Sequence, residues 1–274
     1  MDRLPDVSRF TTDTAVTAEG AGRYAATIDR GWWIERGPNG GYLAAVVLRA
    51  VLAEVADPSR RVRTITLHYL RPPTEGPCEV AVTIERAGRG LTTASARLAQ
   101  GGRDCILALV ALGVDRSGPE VHDHPAPPVA TPDQLPERSA SPPGAPDIPF
   151  RHRFDVRAAI GNPPFTAGPS AETGGWIRSE DDDPVDDVLL TALTDSWPPA
   201  VFSRLEARVG VPTIELTVHL RGAPPLVPGW CLVRFRTQEV VAGYLEETGE
   251  IWSEDGRLLA ESRQLAVVLD PTAP

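Results

Sequence analysis

The sequence predicts an α+β fold of two consecutive units, each an antiparallel sheet wrapped round one central helix. Three observations carry this reading. From Tyr42 to Val55 only Arg49 and Glu54 are charged and nearly everything else is apolar or alanine; a helix that apolar on all sides is buried over most of its circumference. Runs of alternating, β-branched residues broken by glycine-rich turns follow it, as in an antiparallel meander. The same grammar then returns after a proline-rich stretch, which points to a tandem repeat.

The composition of the 274 residues is that of a globular chain, with 42% apolar and 23% charged residues. A net charge of −10 argues against a nucleic-acid backbone as the main partner. There is no lysine, so all 27 basic residues are arginine. Cys78, Cys105 and Cys231 form no C-x-x-C spacing and are odd in number, which favours a reduced, cytoplasmic protein. Charged Met1–Asp6 has no apolar run behind it, so no signal peptide is expected, and no segment reaches membrane-span length.

In chain order, residues 1–20 are polar and expected to be loose or wrapped on the surface. Tyr24–Ile28 reads as a strand leading to Trp32-Trp33-Ile34-Glu35-Arg36-Gly37-Pro38-Asn39-Gly40-Gly41-Tyr42 and the apolar helix. Glycines at a helix start let backbone approach closely, and the free N–H groups there attract an anion or a polarised carbonyl. Asn39, Gly40 and Gly41 are therefore candidate substrate-binding residues. Thr64–Leu70, Cys78–Glu85, Leu91–Ala99 and Cys105–Leu112 read as strands, the last three joined by hairpin turns at Ala87–Gly90 and Gly101–Asp104. Ten prolines and no periodic apolar pattern mark Val114–Pro149 as an extended linker. The expected organisation is a first domain over residues 1–113, a linker over 114–149 and a second domain over 150–274. In the second half Phe150–Arg157 opens as a strand and Gly175-Trp176-Ile177-Arg178 echoes Gly31–Ile34. Asp183-Pro184 begins a helix running through Val188–Trp197. Thr213–Leu220 mirrors Thr64–Leu70, Gly229-Trp230-Cys231 mirrors Gly76-Pro77-Cys78, and Asp255–Ala260 falls where Gly102–Cys105 fell.

That repeated unit resembles the hotdog fold, and the tandem resembles a double hotdog. Trp-Trp-Ile-x-Arg-Gly-Pro-Asn-Gly-Gly-Tyr-Leu-Ala-Ala, beginning at Trp32, resembles the first half of type II acyl-CoA thioesterases and their thioesterase-like relatives. Thr194-Asp195-Ser196-Trp197-Pro198-Pro199-Ala200 resembles the central-helix motif of their second half. The similarity covers roughly residues 20–113 and 150–269. It implies hydrolysis of an acyl thioester to free acid and coenzyme A. A helix Asp, a strand Thr and a Gln near the end of the last strand would hold the hydrolytic water. These fall on Asp195, Thr213 and Gln264, with Thr217 the fallback if the register slips. The implied partner is a small-molecule acyl-CoA, with no cofactor beyond the CoA of the substrate and no metal. Membrane and nucleic acid are not expected partners, and a homo-oligomer through sheet edges stays open.

The residues themselves support that chemistry. Asp195 interrupts an apolar helix, where an ionised carboxylate is costly without partners, and its place near a helix C-terminus is disfavoured by the dipole. A site carboxylate explains it better: thioester hydrolysis needs a base or orienter for water and donors for the developing oxyanion. Backbone N–H groups of Gly40 and Gly41 would polarise the carbonyl. The repeat supplies an internal comparison. Matching Gly256 to Gly102 puts Gln264 on Val110, and matching Pro184 to Pro38 puts Asp195 near Arg49. Thr64, in the strand that mirrors Thr213's, carries no weight alone, because threonine is common in strands. One composite site is expected, with its carboxylate side from the second half and its glycine side from the first.

Other groups point less sharply. No G-x-S-x-G elbow is present, and Ser196 is wrongly placed for one. His122-x-His124 lies in the proline-rich stretch. His68 and His219 read as partly buried strand histidines, with a place on the acyl or pantetheine path as the alternative. Glu180–Asp183 reads as a solvated turn, and Cys78 and Cys231 as core. Arg60, Arg61 and Arg63 suit either the phosphates of CoA or a solvated loop. Two rivals remain beside hydrolysis of acyl-CoA: a non-catalytic acyl-thioester binder or a thioesterase for carrier-protein-bound chains, and a hydratase, whose Asp/His motif is not found.

Overall fold

In the computed structural model, which describes residues 8–137 and 147–269, the apolar stretch forms helix α2 (Gly40–Val55), with ten consecutive or near-consecutive side chains from Gly41 to Val51 buried. It follows the short helix α1 (Arg9–Asp13) and strands β1 (Thr17–Gly20) and β2 (Arg23–Ile28). After it come β3 (Arg61–Tyr69), β4 (Gly76–Ala87), β5 (Leu91–Gln100) and β6 (Arg103–Gly113). The second half runs β7 (Phe154–Gly161), β8 (Glu172–Ser179), α3 (Asp187–Leu193), β9 (Thr213–Leu220), β10 (Cys231–Arg236), the two-residue β11 (Val240–Val241), β12 (Tyr244–Ser253) and β13 (Leu258–Val267). No helix of the described residues is long and apolar enough to cross a membrane.

The strand order is β1-β2-β4-β5-β6-β3-β9-β13-β12-β10-β8-β7. Read from the centre outward, each half is the mirror of the other, which is the double hotdog the repeat predicts. The two half-sheets do not stand apart: β3 and β9 pair antiparallel and join them edge to edge. Their ladder is symmetric about Thr66 opposite Thr217, whose hydroxyls are 2.9 Å apart. Closing the two inner edges against each other leaves β1 and β7 at the ends of the described sheet, with the two-residue β11 a short branch on β12. Helices α2 and α3 pack on the same inner side and against each other.

Several expectations change. Residues 8–20 are docked rather than loose: Phe10 is buried edge-on to Trp32, and Asp181 pairs with Arg9; residues 1–7 lie outside the described residues. Asp183 does not cap the second helix. It is buried, bonded to Ser8 and Ser179, and the cap is Asp186, whose carboxylate accepts from Leu189 N at 2.7 Å. Helix α3 ends at Leu193, four residues before Trp197. A 3-10 turn at Pro149–His152 replaces the start of the expected strand at Phe150, and β7 begins at Phe154. The Gly175-Trp176 echo is of the wrong element, because β8 occupies the place of β2 while Trp32 lies in the turn after β2.

The proline-rich stretch has no strand in its described part, as expected, but residues 122–135 are not a free linker. His124 stacks on Trp252 and hydrogen-bonds Glu250; Trp252 Nε1 donates to His124 O and Trp176 Nε1 to Ala130 O. This covers the outer face of the second half-sheet, so Glu250 and Trp252 are buried together with the inward-facing Ile251 and Ser253. Residues 138–146 of the stretch lie outside the described residues.

Candidate active site

Asn39 ends the turn before α2 and caps it, its Oδ1 accepting from Tyr42 N at 2.9 Å. Asn is among the best residues for that position because its short side chain satisfies one of the orphan N–H groups. Its other end reaches into the second half: Nδ2 donates to the backbone oxygen of Asp195 at 2.6 Å and to Asp195 Oδ2 at 3.1 Å. Gly41 N also donates to Asp195 Oδ2, at 3.1 Å. The carboxylate that sits in an unfavourable place behind the C-terminus of its own helix therefore lies at the N-terminus of the other, where the dipole favours it. Tyr69 at the end of β3 closes the near wall, its hydroxyl donating to Gly40 O at 2.9 Å.

Small residues are needed at this crossing. A Cβ at Gly40 would come within 2.8 Å of Asp195 Oδ2 and 3.2 Å of the Tyr69 ring. A Cβ at Gly41 would overlap the carbonyl of Ala192 on α3. Burial pushes the Asp195 carboxyl up to about 6, against the lowering effect of the Gly41 and Gly40 amides. Burial, then the Asp195 and Glu215 charges, raises the Tyr69 phenol well above its ordinary value. Asp195 is thus ionised at neutral pH while remaining basic enough to take a proton from water.

The other two expected residues lie on β9 and β13, both of which touch α3. Gln264 is 6% exposed and pairs with Leu216, on the inner face. Its amide makes no hydrogen bond to another described residue and is not among the enclosed, unpartnered side-chain atoms, so it is open to a water. Thr213 is three residues from inward-facing Leu216, so a regular strand would turn it outward. A bulge at Ile214 changes that, placing Thr213 opposite buried Ala266 and hence on the face of Gln264. Thr217 takes the outer side, bonded to Thr66 and Glu215. The geometry brings Thr213, not Thr217, to the inner face.

The central ladder also makes the internal comparison exact in register. With Thr66 matched to Thr217, Ile65 matches Leu216, and their β6 and β13 partners Val110 and Gln264 correspond. Val62, opposite Leu112, then corresponds to Thr213, opposite Ala266; Thr64 corresponds instead to Glu215. Aligning the caps Asn39 and Asp186 puts Asp195 on Leu48, one residue from the expected Arg49. Leu48, Val62 and Val110 are all fully buried. Three polar residues of the second half thus occupy positions that the first half fills with apolar core.

Asn39 and Gly41 have a more immediate task than the one expected of them: both donate to Asp195 rather than standing free for a substrate carbonyl. The arginine trio is likewise committed. Arg60 pairs with Asp57 at 2.8 Å, Arg61 with Asp187 at 3.2 Å and Arg63 with Asp115. The groove of about 490 Å³ beside Arg60 and Arg61 begins at Leu52 near the far end of α2, about 17 Å along the helix from Gly41 and Asp195. His68 and His219 are exposed on the outer face rather than partly buried. Cys78, Cys105 and Cys231 are buried free thiols. Two groups beside the site escape a reading of motifs alone, Tyr69 and the buried Glu247 of β12. For Glu247 the repeat carries a signal, since the corresponding strand β5 is apolar there.

Two halves, one polar inner corner and a carboxylate on a helix N-terminus define a thioesterase-type double hotdog. Residues 29–113 match the acyl-CoA thioesterase N-terminal domain and residues 129–268 the acyl-CoA thioesterase C-terminal domain. The chain belongs to the acyl-CoA thioesterase family. A hot dog-fold protein of unknown function from Alicyclobacillus acidocaldarius is 25% identical, with a TM-score of 0.87 over 97% of this chain and 100% of that one. A candidate thioesterase II from Thermobifida fusca is 29% identical, with a TM-score of 0.84 over 97% and 99%. An uncharacterized protein of Mycobacterium tuberculosis is 25% identical, covering 89% of this chain and 90% of its own length.

Proposed function

We propose that this chain hydrolyses acyl-CoA, with the attacking water held between Asp195, Thr213 and Gln264. The observation that carries the reading is the one-sided substitution of the core: Asp195, Thr213 and Gln264 stand where the sister half has Leu48, Val62 and Val110. Three polar side chains, one buried and two partly buried, at positions the sister half fills with core are costly unless they serve something. The Asp195 carboxylate takes a proton from the water as its oxygen attacks the thioester carbonyl. The tetrahedral intermediate then breaks its C–S bond, and the thiolate leaves with the proton that Asp195 holds. Thr213 and the unpaired Gln264 amide orient the water through hydroxyl and amide groups. The N-terminus of α2, already holding Asp195, supplies the positive end of a dipole to the developing oxyanion.

The test is a panel of acyl-CoA esters, short to long and branched, with released thiol as the readout. Turnover of at least one ester, with a rate that climbs through about pH 6 as Asp195 ionises, is the expected result. No released thiol from any ester, with tight binding of a non-hydrolysable analogue, would replace the reading with that of a binding protein. The two threonines separate within the same assay. Thr213→Val is expected to lower kcat about tenfold or more. Thr217→Val leaves kcat unchanged and lowers stability by about 1 kcal/mol, from the lost seam hydrogen bond. Equal losses in both would remove Thr213 from the site.

A further inference from the structure

Glu247 is the fourth member of the one-sided substitution. It lies on β12 directly opposite Gln264, in the position that β5 gives to Ala94, opposite Val110. Ala94 is fully buried, and Glu247 is 6% exposed. Directly opposed residues on neighbouring strands have Cβ atoms about 5 Å apart, so Glu247 and Gln264 are side-by-side groups on the inner face. Glu247 Oε2 accepts a 2.5 Å hydrogen bond from Ala200 N, and Thr237 Oγ1 is 3.5 Å from the same oxygen. Ala200 opens the 3-10 turn that follows Asp195-Ser196-Trp197-Pro198-Pro199. One side chain thus ties the segment carrying Asp195 to the strand pair carrying Gln264. Glu247 Oε1 has no partner among the described residues.

We propose that Glu247 is a positioning residue of the hydrolytic site, a carboxyl that holds the Ala200 end of the Asp195 segment against the Gln264 strand pair and does so while it carries its proton. The inference rests on the thioesterase reading for its kinetic consequence but not for its structural one. The proton is required by the company Glu247 keeps. From the segment after α3 it faces Asp195, and on its own strand it neighbours Glu246, both of which oppose its ionisation. No cation answers it among the described residues. Arg236 of β10 pairs with Glu250 and Arg263 of β13 with Glu246, on the other face of the sheet. Arg204, after the 3-10 turn, donates to Gly168 O, and Glu215 of β9 bonds Thr217 on the outer side. Burial first, and then the Asp195 charge, pushes the Glu247 carboxyl up to about 8 in spite of the Ala200 and Thr237 hydrogen bonds. Once Asp195 has lost its proton, a second ionisation puts two like charges into one buried corner, and the clamp is pulled apart as pH rises.

Glu247→Gln keeps an acceptor for Ala200 N and removes the charge, whereas Glu247→Ala restores the sister half's residue and removes the clamp. Two readouts decide. Without any substrate, the unfolded chain releases this proton from about 4.5 while the fold holds it to about 8. Above Asp195's own window, the denaturation midpoint of the parent is therefore expected to fall between pH 6 and 8, and that of Glu247→Gln to stay level. Equal falls in both would overturn the proposal. With a turned-over acyl-CoA, the parent's kcat should decline above about pH 8, Glu247→Gln should hold its rate to pH 9, and Glu247→Ala should lose about tenfold in kcat across the range with KM within about twofold. A Glu247→Ala enzyme with parental kcat and pH profile would also overturn it. If no ester is hydrolysed, the thioesterase reading fails, and the midpoint comparison still decides the state of Glu247.

Discussion

Replacing Asp195 by asparagine is expected to lower thioester hydrolysis by about a thousandfold or more and, in the same protein, to raise its stability above pH 6. The first effect follows from removing the group that takes the proton. The second follows from burial. The Asp195 carboxyl is pushed from the ordinary 3.8 to about 6, so the folded state holds its proton more tightly than the unfolded chain does. Below 3.8 the group is protonated in both states and costs nothing. Through the window from 3.8 to 6 the unfolded chain releases the proton first, and stability falls as pH rises. Above 6 the whole penalty is present, about 3 kcal/mol at the ordinary conversion between pKa and free energy. Asparagine carries no such penalty. Its Oδ1 still accepts from Gly41 N and Asn39 Nδ2, the two donors that Asp195 Oδ2 serves. Denaturant midpoints of the two proteins should coincide near pH 4 and separate by pH 8, with the inactive variant the more stable. An unchanged midpoint at pH 8 would mean that Asp195 is not the buried, raised carboxylate of the site. Loss of activity together with gain of stability is the signature of a residue kept for chemistry rather than for the fold.

Much of this was legible in the residues, for definable reasons. The all-round apolar helix and the β3, β5 and β6 strands rest on periodicity, which is local in sequence. Asp195, Thr213 and Gln264 rest on the resemblance to the thioesterase motifs, and the repeat added that the first half lacks the Asp and the Gln. What escaped depends on contacts between distant segments. Nothing near Asp195 says that its carboxylate is received by Asn39 and Gly41, 156 and 154 residues away. The bulge at Ile214 turns Thr213 inward against the strand's own alternation, so counting residues kept Thr217 as the fallback beside Thr213. Pro-rich composition identifies a segment without regular structure, but not that His124 and Ala130 accept hydrogen bonds from Trp252 and Trp176. That cover hides the alternation of the second half of β12, which is buried on both faces. Glu247 sits in the same strand, next to Glu246 and two residues before Glu250's neighbour Gly249, and reads there as part of a solvated acidic run. Only its place opposite Gln264 separates it from them.

Gly41→Ala is the substitution expected to do most damage for its size. In most helices Gly to Ala is favourable, because alanine loses less conformational freedom on folding. Gly41 is one residue into α2, with its side-chain position directed at the backbone of α3. An added methyl would overlap the Ala192 carbonyl oxygen and lie 3.0 Å from its carbon and 3.2 Å from its Cα. These are main-chain atoms of a buried helix, so no rotamer change relieves the contact, and the helices must separate. Overpacking of this kind costs about 1–3 kcal/mol. The separation is felt next at Asp195, which begins two residues after the end of α3 and is held by Gly41 N and Asn39 Nδ2 at 3.1 Å each. Lengthening those bonds loses the donors that hold the carboxylate down, so its pKa rises and its position relative to Gln264 shifts. Gly41→Ala should therefore lower the thermal midpoint, reduce kcat by about a hundredfold and move the acid limb of the rate profile upward from about 6. Gly40→Ala, one residue earlier, meets the movable Asp195 carboxylate and the Tyr69 ring instead of backbone, at 2.8 and 3.2 Å. It should spare stability and still displace the acid. A Gly41→Ala protein with parental stability would show that the two central helices do not need their close approach; a Gly40→Ala protein with parental kcat would show that the Asp195 carboxylate need not lie at the start of α2.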